Sequence, residues 1–505
     1  AVTVRQQGID LVLNWFSPGQ QKPLDIDYPH ADYGSEILAF IAPVAGKYRL
    51  EVKPFSATHP AGGYQISALR HSSPSATDRL RVAAQTAFWK AWSLDKKGQT
   101  PTGADPYGPA LALWRKLGDR YFTALTLDCM ATRLQAQKRY PEALKTSQEL
   151  LGLQRLLKDR RGESATLRQM GRIYRSTGQP AEAARVLKTS LAISEELKEP
   201  RMVGQTLYVL AELEYDREQL PASLGLYRQA LTAFITAKDI TWQSMTLGDI
   251  GMIESRQGHD EAALLIYRQG LALSRINKDL KGESTSLYSL GFLYQKLGRS
   301  QEALRTFQDS LAISRQIKDP VGESYGLQAV GDAYRDVEEP DNAIRIYLET
   351  LAVLRRLKNR EREAEVLATL GDVHEEYGRL ELALNYFQQA LQVSRSLHAL
   401  SSEGEDLLRI GDLQRQLKRF PQALTTCEQA LAAYRAAKDR AGEAHSYGFL
   451  GMIHEDQGQP QEALKSYRLA LPIYQELEMK MGEEKMLANI DRLEKGLRDE
   501  QQTFT

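Results

Sequence analysis

The sequence has little of what usually marks an enzyme, a membrane protein or a nucleic-acid binder. Its 505 residues include only two cysteines, Cys129 and Cys427. Two thiols so far apart make no disulfide framework, and each reads as a small buried apolar side chain in a helix. Net charge is missing too: 65 Lys and Arg balance 65 Asp and Glu. That balance argues against a dedicated nucleic-acid binder, which carries a basic excess. No apolar run approaches the roughly 18 residues that signal a membrane-spanning helix. The phosphate loop of the G-x-x-x-x-G-K type, the dinucleotide glycine cluster, H-E-x-x-H and G-x-S-x-G are all lacking. The nearest look-alikes, His374-Glu375 and His454-Glu455, stand where other parts of the chain carry Tyr at the same spacing. They read as half-buried amphipathic side chains. The chain is therefore expected not to be an enzyme, and to have no catalytic, cofactor-binding or metal-binding residues.

What is present is a period. Small residues recur every 40 positions at Gly171, Ala211, Gly251, Gly291, Gly331, Gly371, Gly411 and Gly451. Twelve positions after each comes a second small residue: Ala183, Ser223, Ala263, Ala303, Ala343, Ala383, Ala423 and Ala463. Four further on, Tyr227, Tyr267, Phe307, Tyr347, Phe387 and Tyr467 form an aromatic column, with Leu187 and Cys427 as exceptions. A Leu column runs unbroken from Leu151 to Leu471. Chance does not keep four columns in register over such a length.

Each period reads as two helices. Over 284–297, Leu287, Leu290, Leu293 and Tyr294 follow the helical spacing. Gly178, Gly258, Gly298, Gly378 and Gly458 stop the first helix, since Gly tolerates the left-handed cap conformation. Pro180, Pro221, Pro340, Pro421 and Pro460 open the second, where a missing N–H costs nothing. Lys-Asp pairs such as Lys278-Asp279 close it. No single pair can bury its apolar side alone, so the pairs must stack.

The order of small, Ala, aromatic and small residues in Gly291, Ala303, Phe307 and Ser310 resembles the tetratricopeptide repeat (TPR) pattern. The family's usual unit is about 34 residues. The unit here resembles a 40-residue subclass found in cell-polarity scaffolds that bind G-protein-regulatory peptides, and in many bacterial regulators. The family's early Trp is absent. The resemblance implies a mainly α fold, a right-handed α-solenoid of about ten helix-turn-helix repeats. It is expected over 76–483, capped by an amphipathic helix at 484–499 that turns Met486, Ile490, Leu493 and Leu497 inward.

In residues 1–70 the period is two instead. Ile9, Leu11, Leu13 and Trp15 alternate with more polar neighbours, as do Tyr48, Leu50 and Val52. Together with turns such as 17–19 and 61–63, this predicts a small antiparallel β-sandwich or partial barrel. The stretches 6–13 and 45–52 resemble the bacterial prepeptidase C-terminal (PPC) domain family. That pairing implies the non-catalytic part of a TPR and caspase-like (CHAT) peptidase architecture. With Ala rather than Met at position 1, it also leans toward an exported bacterial protein.

In arrays of this family the first helix of each pair lines a concave groove. Carried over by position, the groove comprises Arg168, Arg172, Arg175, Tyr208, Glu212, Tyr215, Met245, Met252, Tyr288, Phe292 and Gln295. It continues with Tyr325, Gln328, Asp332, Arg335, Glu365, Asp372, Glu375, Glu405, Asp412 and Arg415. The wall so drawn is basic early, aromatic and Met-rich in the middle, and acidic late. It predicts a protein-interaction scaffold holding a peptide with an apolar centre, an acidic end toward the Arg units and a basic end toward 365–412. The alternatives are the regulatory portion of a larger protease and a receptor for a small signalling peptide.

Overall fold

The structure, a computed structural model, describes residues 2–7, 11–16, 24–26, 33–38, 49–54, 63–68, 73–96 and 105–503. Among them are six strands and 21 helices. The chain divides into two compact units, 1–239 and 240–505.

In the first unit, strand Val2–Gln7 pairs antiparallel with Tyr33–Leu38 and Gly63–Ala68. Strand Leu11–Phe16 pairs likewise with Leu24–Ile26 and Arg49–Pro54, giving a second three-stranded sheet. The expected β-sandwich goes no further than this pairing: no sandwich core is seen among the described residues. Strand Arg49–Pro54 carries Leu50 and Val52. They lean on a helical cluster built from Phe88, Tyr107, Trp114 and Phe122. Alternation showed which side of that strand is apolar, not that helices would cover it. Helices Ala76–Lys96 and Gly108–Leu117 carry most of this cluster, and Trp114 stacks on Phe122 at 4.5 Å.

Three hairpins complete the first unit, from Arg120–Ala136 with Tyr140–Leu157 to Pro200–Asp216 with Leu220–Thr236. The second unit holds six, from Ile240–Arg256 with Asp260–Ile276 to Arg440–Asp456 with Pro460–Glu476. Helix Lys480–Thr503 closes it, with Met486, Ile490 and Leu493 buried and Leu497 packed beside them. The cap thus begins earlier than the predicted 484.

The glycine column has a sharper role than close backbone approach. A Cβ placed on Gly251, Gly291, Gly331, Gly371 or Gly451 would come within 3.0 Å of the ring of Tyr267, Phe307, Tyr347, Phe387 or Tyr467. The glycine of the first helix is therefore the socket for the aromatic of the second. Buried hydroxyls between helices 280–296 and 300–316 are paired. Ser284 Oγ donates to the Ser310 carbonyl at 3.0 Å, and Ser310 Oγ returns a bond to the Ser284 carbonyl at 2.8 Å.

Between hairpins, the Lys of each Lys-Asp pair takes a left-handed backbone, as at Lys278, Lys318 and Lys438 with φ of 55°, 56° and 59°. The Asp after it caps the next helix: Asp279 accepts from the Gly282 N–H at 3.0 Å, Asp439 from the Gly442 N–H at 2.9 Å. An Arg late in the second helix also pairs with a Glu early in the next first helix. The pairs include Arg275 with Glu283 at 2.7 Å, Arg355 with Glu363 at 2.8 Å and Arg395 with Glu403 at 2.8 Å. Glu363 is buried and also receives Arg360 at 2.5 Å, so its charge is compensated twice.

Candidate functional site

First helices of successive hairpins touch one another at several steps: 160–176 with 200–216, 240–256 with 280–296, and 400–416 with 440–456. The first helices therefore crowd together, and their free sides form the inner face of each unit.

On the inner face of the second unit, an aromatic patch stands on the core. Tyr288 and Phe292 meet edge to face at 4.8 Å, and both lean on buried Phe307, at 5.8 and 5.1 Å. Phe292 remains 45% exposed, and Met245 and Tyr325 remain 47% and 46% exposed. Arg362 covers the Tyr325 ring at 3.8 Å and donates to Ser324 Oγ at 2.8 Å and Gln328 Oε1 at 2.5 Å. Arg362 therefore shapes the patch although the sequence reading passed over it.

Beyond the patch lies a pocket of about 1000 Å³. Glu365, Asp372 and Glu405 of the predicted groove line it, with Glu361, Asp406 and Asp439 beside them. Its apolar lining includes Phe387, Leu408, Tyr434 and Phe449. Its one arginine, Arg409, pairs with Asp372. Five carboxylates, with the buried carboxyl of Asp406 beside them, stand against that single guanidinium and make the pocket acidic.

Asp406 was not foreseen, but the sequence held its signal. The same column carries Thr166, Thr206, Thr246, Ser286, Gly326, Val366 and Ser446, so a carboxylate there breaks the pattern. Asp406 is buried and accepts a 2.7 Å bond from Ser394 Oγ. Burial, helped by Glu405 and Glu403, pushes its carboxyl up to about 7 against the pull of that bond. The folded state thus holds a proton that the unfolded chain releases near pH 4, and stability falls as pH rises from about 4 to about 7. Replacing Asp406 with Asn keeps an acceptor for Ser394 and removes the titration. Urea unfolding should show D406N more stable than the parent by on the order of 1–2 kcal/mol at pH 8, and nearly equal to it at pH 4.5. An unchanged pH slope in D406N would contradict this assignment.

Several predicted groove residues are already engaged. Arg175 pairs with Glu212 at 2.9 Å and Asp216 at 2.5 Å. Gln295 donates to Asp336 at 2.7 Å, and Arg335 reaches Glu376 at 3.1 Å. Asp332 accepts a 2.5 Å bond from the buried Tyr347 hydroxyl. Glu375 accepts from Gln416 at 2.7 Å, and Asp412 pairs with Arg415 at 2.8 Å. Tyr208 rests edge-on against Tyr227 at 5.2 Å. Tyr215 and Met252 stay partly exposed. Arg175, Asp372 and Glu375 are therefore clasps between neighbouring first helices, which a reading by position cannot separate from free charges. Arg168 and Arg172 make no ion pair or hydrogen bond among the described residues.

His374 and Cys427 behave as packing, whereas His454 meets the Gln459 side chain at 2.9 Å. His374 is buried and stacks on Tyr386 at 5.2 Å, and burial pushes its pKa down. Cys427 fills the socket opposite Gly411, with its thiol pushed up to about 12 by burial. Among the described residues no group of three or more His, Cys, Asp or Glu could hold a metal ion, and no helix is long and apolar enough to cross a membrane.

Comparison with known proteins places the repeats. Two family models described as tetratricopeptide repeat match, one at 122–196, 323–396 and 405–476, the other at 286–321. Neither the likeness of residues 1–70 to the PPC module nor the peptidase architecture finds support among these matches. No curated protein matches the chain. The apo form of RapI is similar in fold, with a TM-score of 0.52 and 12% identity over 70% of this chain and 98% of that one. So is a STAND-type signal transduction ATPase with a tetratricopeptide repeat sensor from Pyrococcus horikoshii. It gives a TM-score of 0.51 and 14% identity over 83% of this chain and 68% of that one. The chain belongs to the tetratricopeptide-repeat family.

Proposed function

We propose that the inner face of the second unit holds an extended polypeptide segment, apolar where it meets Tyr288 and Phe292 and basic where it meets the pocket of Glu361, Glu365 and Glu405. The observation that carries this reading is Phe292. Nearly half of its ring faces solvent, yet the ring is held on edge by Tyr288 and buried Phe307. A rigid exposed aromatic loses little freedom when it docks and supplies much apolar contact. The acidic pocket beside it would select sign and direction more than it adds affinity.

The test uses a peptide selected from a random display library against the full chain. Substituting Tyr288 or Phe292 with Ala should weaken that peptide by about 1–2 kcal/mol each, read by fluorescence polarisation. Raising the salt should slow association with little effect on the apolar anchor. Equal affinity for the parent and both variants would remove the reading.

A further inference from the structure

In the first unit, one guanidinium is buried without a counter-charge. Arg168 lies on helix Arg160–Ser176, with part of its surface open on the inner face. Its Nη1 is sealed from solvent and donates to nothing. Three other arginines of this helix are paired. Arg160 reaches Glu163 at 2.6 Å, Arg161 pairs with Glu199, and Arg175 has Glu212 and Asp216. Arg168 instead has cations for neighbours. Burial first, then Arg172 and Arg201, push its pKa down to about 10, and no carboxylate acts in the other direction. Arg172 is also unpaired among the described residues, while Arg201 is half-exposed and pairs with Asp239 at 2.8 Å. Asp128 holds the equivalent position one hairpin earlier, but it is no counter-ion. Its own carboxyl is pushed up to about 6 by burial and by Asp159, with Arg168 absent from the groups acting on it.

A guanidinium in this state is costly to the fold, because a buried charge needs both partners and hydrogen bonds. Such a cost persists where a ligand supplies the missing half. The geometry points to a site for a phosphoryl-type dianion formed by Arg168 and Arg172, with Arg201 at its edge. Two uncompensated guanidiniums match a dianion in charge, and their forked donors match its oxygens in shape. A single carboxylate would leave one of the two uncompensated, and glutarate, which carries two but lacks the tetrahedral oxygens, is the dicarboxylate control. The site is independent of the aromatic patch, which lies in the other unit.

Isothermal titration of the full chain in phosphate-free buffer tests this, with three probes: inorganic phosphate, O-phosphoserine and glutarate. Saturable binding of phosphate or O-phosphoserine is expected, weakened at least about tenfold in R168M and in R172Q. Phosphate alone would mark a site for the free ion, and O-phosphoserine binding more tightly would mark a modified side chain; either outcome supports the dianion site. The exposed variant R185Q should bind as the parent does. Without ligand, R168M should melt no lower than the parent, because it removes an uncompensated buried charge. If R168M does not fold, R172Q carries the test. No phosphate or O-phosphoserine binding, equal binding by the Arg variants, or glutarate binding as tightly as phosphate would overturn the proposal.

Discussion

Replacing Phe307 with Ala should remove about 3–5 kcal/mol of stability from the second unit. The ring is fully buried in a cluster that includes Leu287, Leu290, Leu304 and Leu311. It fills a socket that exists only because position 291 has no side chain. Neighbouring helices cannot collapse into the gap without breaking the register that stacks each hairpin on the next. Tyr288 and Phe292 would lose their support at the same time, so binding at the inner face should fall with stability. Urea unfolding measures the first effect, and hydrogen exchange over 280–316 locates it. A loss under about 1 kcal/mol would mean that the aromatic column is not what holds the hairpin together.

Filling the same socket from the other side should cost about 3 kcal/mol. Helix propensity alone favours Gly291→Val slightly, because Gly is the poorer helix former by a few tenths of a kcal/mol. Packing predicts the reverse sign. Even the Cβ would fall within 3.0 Å of the Phe307 ring, and the two methyl groups would press further into it. The two substitutions therefore couple. With Phe307 already cut to Ala, Gly291→Val should cost under about 1 kcal/mol, because the added methyls enter the vacated space. Additive losses in the double variant would show that the glycine serves some end other than receiving the ring.

The repeat was legible because its signals are local and recur. Gly298, Pro340 and the Lys278-Asp279 pair act within one turn of chain, and the 40-residue step shows each of them many times. The fold class, the helix pairs and the closing helix followed from these. What stayed hidden depends on partners distant in sequence. Arg355 and Glu363 are ordinary surface residue types until stacking makes them one pair. Arg175 and Glu212 read as free groove charges until adjacent first helices bring them together. The strands near Leu11 and Leu50 showed their period, but their sheet partners and the helical cover over Leu50 and Val52 are long-range facts. Asp406 was visible in the sequence as a departure from its column, and Arg168 as a predicted groove charge. Their burial, which gives them meaning, was not.

The central claim, that the inner face of the second unit grips a polypeptide, is tested most directly by site-specific photo-crosslinking in cells that make the protein. A photoreactive residue is placed at Phe292 on the inner face, or at exposed Leu265 on a second helix. The account predicts a defined crosslinked polypeptide from position 292, absent when Tyr288 is changed to Ala, and none from position 265. Crosslinks from position 265 but not from 292 would contradict it.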